Sequence, residues 1–303
     1  MARPPAPLPR GHMIEIARKR RLHAVFEGPV GASPLIVLEA GAFGVSADWA
    51  AVQGALAREG LRSMAYDRAG LGLSDPGPAP RDGAAISADL TALLAAAGEA
   101  GPYIYCGHSM AGLHARLFAR RAGHQLQGLV LVDATTPEAM ESRLVSTVVE
   151  QFARASRLTA WGAAIGLLKL LSDTGLGDAI GLDGTAGEAK RWAFAHGPHN
   201  QWAAQEVAAW PQTAAQAREA GLFDPRIPVA IVLAGSPAGA SKLRDFQMAP
   251  AEASLRGQLE QVAGSNHASL LSDQYAPAIV RAVQHVRLEP PMSRASADEA
   301  PAV

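Results

Sequence analysis

Apolar positions along the chain follow two rhythms. Short, apolar-rich runs at residues 35–38, 61–66, 103–106, 129–132 and 229–233 have the length and continuity of strands buried on both faces. The segments between them keep helical spacing. Trp49, Val52 and Leu56 recur at i, i+3, i+7 before Gly60. Ile86, Leu90, Leu93, Leu94 and Ala97 form a second stripe ending at Gly98, and residues 110–121 a third. Ile279, Ala282, Val283 and Val286 form a fourth, with Pro277 placed where a helix tolerates it, in the first turn. Strand–helix alternation of this kind predicts an α/β fold built on a doubly wound, mostly parallel sheet. Ahead of it, residues 13–17 and 22–27 flank the basic turn Arg18-Lys-Arg-Arg21 and predict a hairpin. Residues 259–262 predict one more strand before the last helix.

The alternation stops between about Pro137 and Phe223. That interval offers no strand, but it has helical runs and holds Trp161, Trp192, Trp202 and Trp210, four of the chain's five tryptophans. It reads as a helical cap inserted in one sheet domain. The expected division is a disordered arm at 1–12, a core at 13–136 and 224–287, the cap at 137–223 and a loose tail at 288–303.

One turn carries chemistry. In Tyr103-Ile-Tyr-Cys-Gly107-His108-Ser109-Met110-Ala111-Gly112 a strand runs straight into a helix. A serine on such a turn is lifted clear of the sheet, and the residues two before and two after it must be small. Gly107 and Ala111 fill those places. The glycine-rich stretch Glu39-Ala-Gly41-Ala42-Phe43-Gly44 follows the first core strand, where it can aim a backbone N–H at a developing oxyanion. Asp67-Arg-Ala-Gly70-Leu-Gly72 makes a tight turn at the same edge. His267, in Gly264-Ser-Asn-His267, is placed to serve as general base.

These features together resemble the α/β-hydrolase superfamily, in particular its small serine esterases with a helical cap, over residues 13–286. The resemblance implies Ser109 as nucleophile, His267 as base, and the N–H groups of Met110 and Ala42 as an oxyanion hole. The third member must be an acid that holds the histidine's second nitrogen. Asp133 stands directly at the end of the strand at 129–132; Asp245 lies in the loop after the strand at 229–233, about seven residues beyond the position near Ala238 where an acid is expected. Asp133 is the preferred candidate, Asp245 the alternative. Phe43, Trp161 and Trp202 are the candidate substrate-binding side chains.

Composition narrows the function classes. The formal charge is −1 over 303 residues, unlike the basic face of a nucleic-acid binder. A single cysteine, Cys106, excludes an internal disulfide framework and any multi-cysteine zinc site; within a strand it reads as a small buried hydrophobe. His196-Gly-Pro-His199 invites a metal, but Gly-Pro breaks the helix that would set both rings on one face. His108 and His114 read as structural. No segment predicts a membrane span or a signal peptide, so the expectation is a cytoplasmic enzyme needing no metal or cofactor, acting on a small-molecule ester. Thioester, lactone, amide or carbon–carbon hydrolysis by the same residues, or a non-catalytic ligand-binding role, are the alternatives.

Overall fold

The computed structural model describes residues 10–172, 178–235 and 242–288. Among the described residues, eight strands form one sheet: β1 (His12–Ala17), β2 (Arg20–Glu27), β3 (Leu35–Glu39), β4 (Ser63–Tyr66), β5 (Tyr103–His108), β6 (Leu126–Val132), β7 (Val229–Ala234) and β8 (Gly257–Val262). Their order is β1-β2-β4-β3-β5-β6-β7-β8. The pairs β1–β2 and β2–β4 are antiparallel and all later pairs parallel. Every residue of β3, β4 and β5 is buried, as their unbroken apolar character requires.

Helices cover both faces. On one, α1 (Ala50–Arg58) and α10 (Ala276–Leu288) pack Val52, Leu56, Ile279 and Val283 onto Ile36, Leu38, Ile104 and Val130. On the other, α2 (Gly83–Ala96) and α3 (Ala111–Ala122) bring Leu90, Leu93 and Phe118 against Val37, Tyr105 and Leu129. Strand order reverses beside β3, with β4 on one side and β5 on the other. The crevice at the carboxyl ends of these strands is where such sheets bind ligands.

Among the described residues, five α-helices lie between β6 and β7: α4 (Arg143–Ala164), α5 (Leu167–Leu171), α6 (Gly184–Ala195), α7 (Gly197–Ala208) and α8 (Trp210–Glu219). Val149, Val207, Trp210 and Ala214 from this insertion share an apolar cluster with Met110 and Leu113 of the core. The insertion is therefore packed down on the turn that follows β5.

Three details differ from the sequence expectation. β4 begins at Ser63, because the Leu61 N–H is used to close α1 on the Leu56 carbonyl. A helix, α9 (Lys242–Glu252), follows β7 where a loop is expected, and Asp245 lies on it. Its Pro250 hides it from a propensity reading. β1 takes in His12, Arg10 before it donates to Glu27, and Leu288 ends α10; residues 1–9 of the expected arm and 289–303 of the expected tail lie outside the described residues.

Candidate active site

Ser109 closes β5 in the left-handed region, with φ 58°, a strained conformation for a non-glycine residue. Its backbone is pinned from both sides: the N–H donates to Val132 O at 3.1 Å, and its carbonyl accepts from Gly112 N at 3.1 Å and Thr135 N at 2.9 Å. A Cβ on Gly107 would lie 2.7 Å from the Tyr105 ring and 3.2 Å from the Ala111 Cβ. That crowding is why the turn takes a glycine at one place and a residue no larger than alanine at the other.

Asp133 follows β6, also at positive φ, 42°, and its Oδ2 lies 2.6 Å from His267 Nδ1. Gln247 of α9 donates to Asp133 Oδ1 at 3.3 Å. Burial raises the Asp133 carboxyl, but the hydrogen bond and charge of His267 outweigh it and hold it below the usual range. Asp245 is exposed on α9, two residues before Gln247 and so about 200° round the helix from it. The structure thus brings Asp133, and not Asp245, to the histidine.

His108 does more than the structural reading assigns it. Its ring lies against that of His267, centroids 4.5 Å apart, and its Nε2 is 2.9 Å from the His267 carbonyl. A carbonyl only accepts, so Nε2–H is the donor. Burial, aided by His267, pushes its protonation down to about 3. Ser109, His108 and His267 face one cavity of about 550 Å³. Among the described residues the Ser109 hydroxyl has no hydrogen bond; such contacts often close only around a substrate.

The loop after β3 wraps over the serine. A Cβ on Gly41 would meet the Ser109 Cβ at 2.8 Å, so only glycine lets the two backbones come this close. Neither the Ala42 N–H nor the Met110 N–H donates a hydrogen bond among the described residues. Arg68 holds the loop: Nη1 donates to Ala40 O at 2.5 Å and Nη2 to Gly41 O at 2.8 Å. Glu206 of α7 receives the same guanidinium, Nη2 to Oε2 at 2.8 Å. Burial lowers the Arg68 pKa, but Glu206 and Glu39 more than reverse this. Further along the loop, Lys190 of α6 sits 2.8 Å from Asp48 Oδ2 and 3.4 Å from Phe43 O. Glu39 beneath is buried, bonded to His114 Nδ1 at 2.6 Å and accepting from Tyr105 Oη at 2.8 Å.

Of the expected substrate-binding side chains, Phe43 lines the cavity. Trp161 and Trp202 do not, which corrects that expectation. Trp161 lies two residues beyond Thr159, hence about 200° round the same helix; Thr159 faces the cavity and Trp161 is 64% exposed. The Trp202 indole packs on the backbone of Gly70. Phe152, Phe194 and Trp210 line the cavity instead, and Phe152 meets Phe43 and Trp210 edge-on at 6.1 and 6.3 Å. His196 stacks on Trp192, centroids 4.4 Å apart. His199 is buried at the cavity wall, where its Nδ1 accepts the Gly72 N–H at 3.0 Å. Among the described residues, no group of three or more His, Cys, Asp or Glu is placed to hold a metal. Cys106 is buried, and burial pushes its thiol up, away from the reactive thiolate.

Arg68, Glu206 and Lys190 escape a sequence reading. Arg68 sits in a turn whose glycines are visible, but its targets are backbone carbonyls and a carboxylate 138 residues away, which leave no local pattern.

Comparison with known proteins fits this geometry. A family model described as "alpha/beta hydrolase fold" matches residues 34–168. "Probable transporter efuK" of Hormonema carpetanum is 36% identical over 122 residues, covering 38% of this chain and 17% of that one. The chain spans between 15 and 44% of the length of the curated relatives it matches. Among solved structures, a thermophilic esterase from Thermogutta terrifontis superposes with TM-score 0.65 at 18% identity, covering 92% of this chain and 99% of that one. The epoxide hydrolase CorEH gives TM-score 0.68 at 19% identity, covering 91% and 98%. Neighbours with different chemistries share the fold, so fold alone does not select the reaction.

Proposed function

We propose that the chain, whose residues 34–168 match the family model described as alpha/beta hydrolase fold, is a serine hydrolase cleaving small to medium hydrophobic esters through an acyl-enzyme. The observation that carries this reading is the Asp133–His267 pair, 2.6 Å apart, whose histidine lines the same cavity as a serine held at φ 58°.

In this reading Ser109 Oγ attacks the ester carbonyl while His267 Nε2 takes its proton. Asp133 holds the Nδ1–H and stabilises the imidazolium. The negative charge that builds on the carbonyl oxygen is met by the N–H groups of Ala42 and Met110, the latter at the N-terminus of α3. His267 returns its proton to the leaving alcohol. A water, deprotonated by the same ring, then releases the acid and restores Ser109. His108 holds the His267 backbone through Nε2–H and lays its ring against the His267 imidazole, which positions that ring.

Two features favour acyl transfer over other reactions on this fold. A serine hydroxyl opening an epoxide would leave an ether, which this machinery has no means to hydrolyse; a serine ester it can. The cavity wall from Phe43, Phe152, Phe194 and Trp210 suits an apolar acyl or alcohol group. The helical insertion acts as a cap that supplies most of this wall. A series of p-nitrophenyl esters of increasing chain length tests the reading. Turnover should be seen on at least the shorter chains and vanish in Ser109→Ala; no turnover on any ester contradicts ester hydrolysis.

A further inference from the structure

Helix α4 carries large apolar side chains on the side away from the cavity. Phe152, Ser156 and Thr159 line the cavity. Leu158, Trp161 and Ile165, spaced i, i+3, i+7, are 71%, 64% and 60% exposed, and α5 adds Leu167 and Leu170. Eight of the thirteen large exposed apolar side chains among the described residues fall between positions 144 and 170. A concentration of this kind marks an interaction surface.

Charge says which partner it fits. α4 and α5 carry Arg143, Arg154, Arg157 and Lys169 against one acid, Glu150. Arg154 precedes Leu158 by one helical turn, Arg157 precedes Trp161 by one turn, and Lys169 adjoins Leu170. All four cations are exposed, and none forms an ion pair among the described residues. A two-fold contact between copies of the chain would set one cationic face against another. An anionic bilayer instead meets the cations with lipid phosphates and takes the tryptophan and leucines into the headgroup–acyl boundary. No helix among the described residues is long and apolar enough to cross a membrane, so the contact lies along the surface.

We propose that the exposed face of α4 and α5 docks on an anionic lipid bilayer, setting the cavity on the other side of α4 beside the membrane surface. The docking stands independently of the chemistry at Ser109. Its consequence, that lipophilic esters dissolved in the bilayer are the substrate class, rests on the serine-hydrolase reading.

Co-sedimentation of the full chain with phosphatidylcholine vesicles, with and without phosphatidylglycerol, tests the docking. The chain should pellet with the anionic vesicles, be released by high salt, and show a blue shift of tryptophan emission that Trp161→Phe reduces. Arg154→Gln/Arg157→Gln should lower the partition coefficient about 25-fold, at about fivefold per cation, and Trp161→Ser/Leu170→Ser at least about tenfold. These side chains are exposed, so an unchanged melting temperature shows that the variants are folded. Absence of binding to anionic vesicles overturns the proposal, as does equal binding by the double variants. A concentration-dependent dimer lost in Trp161→Ser/Leu170→Ser, without vesicle binding, would assign the face to a second copy and likewise overturn it. Ester turnover in solution is scored separately: binding without turnover removes the substrate consequence alone.

Discussion

Arg68 and Glu206 form a two-pronged buried ion pair, Nε to Oε1 at 3.1 Å and Nη2 to Oε2 at 2.8 Å, that ties the turn after β4 to α7. The same guanidinium grips the carbonyls of Ala40 and Gly41. The inserted helices thereby balance the charge of the side chain that orients the loop presenting the Ala42 N–H.

Glu206→Gln therefore affects chemistry more than binding. An oxyanion donor contributes about 10²–10³ in kcat, and loosening one should cost roughly 10- to 100-fold in kcat with KM changed less than about threefold. Leaving the Arg68 charge to Glu39 alone, 4.0 Å away, should also destabilise the fold by about 3 kcal/mol. Steady-state kinetics with a thermal melt check both; an equal rise in KM with kcat intact would place the effect on substrate binding instead.

Asp133→Asn and Asp245→Asn, assayed side by side, separate the two candidate acids. With the carboxylate gone from His267 Nδ1, kcat should fall by about 10⁴. Asp245 is exposed on α9, and its variant should stay within about twofold of wild type. Near-normal turnover in Asp133→Asn would contradict the assignment.

Stability should fall on the acid side because of two buried histidines. Burial, before any neighbouring charge, lowers His108 and His199 to about 3 from an ordinary 6.5. Both are neutral in the folded chain, so their contribution is complete above about pH 6.5. Below that, the unfolded chain binds protons that the folded chain refuses until about pH 3. Each histidine should then cost about 1.4 kcal/mol per pH unit. His199→Asn, which keeps an acceptor near Nδ1, should lower the acid-side slope of unfolding free energy by about one proton, as measured by denaturant titration from pH 7 to about pH 4. An unchanged slope would mean that His199 is protonated in the folded chain.

Phe152 and Trp202 should separate specificity from stability. Phe152→Ala enlarges the cavity wall and should shift preference towards longer acyl chains, with little change in melting temperature because the ring is 39% exposed. Trp202→Ala removes the indole packed on Gly70 and should destabilise by about 2 kcal/mol without altering chain-length preference. An ester series and a thermal melt on each variant distinguish the two.

Much of the frame is visible in the chain. The parallel strands announce themselves because burial on both faces demands unbroken apolar runs, and the turn at Ser109 because its geometry tolerates only small neighbours at 107 and 111. Asp133 is legible because it ends a strand. α9 is not, since Pro250 sits inside it. Trp161 shows the opposite failure: tryptophans reveal a helical insertion, but which face each occupies depends on the helix's rotation relative to the sheet, a tertiary quantity. The Arg68–Glu206 pair spans 138 residues and leaves no period at all. Local patterns thus locate the serine turn and the aspartate, while the side chains that orient their surroundings become visible only once the fold is assembled.

The most direct measurement is intact-mass and peptide-mapping mass spectrometry after exposure to a fluorophosphonate. A nucleophilic Ser109 should take one phosphonyl group per chain, mapped to the peptide containing residues 107–112, with labelling at least about 10³-fold slower in His267→Ala. A folded, wild-type chain that stays unlabelled, or that carries the adduct on another residue, contradicts the proposal that Ser109 is an activated nucleophile.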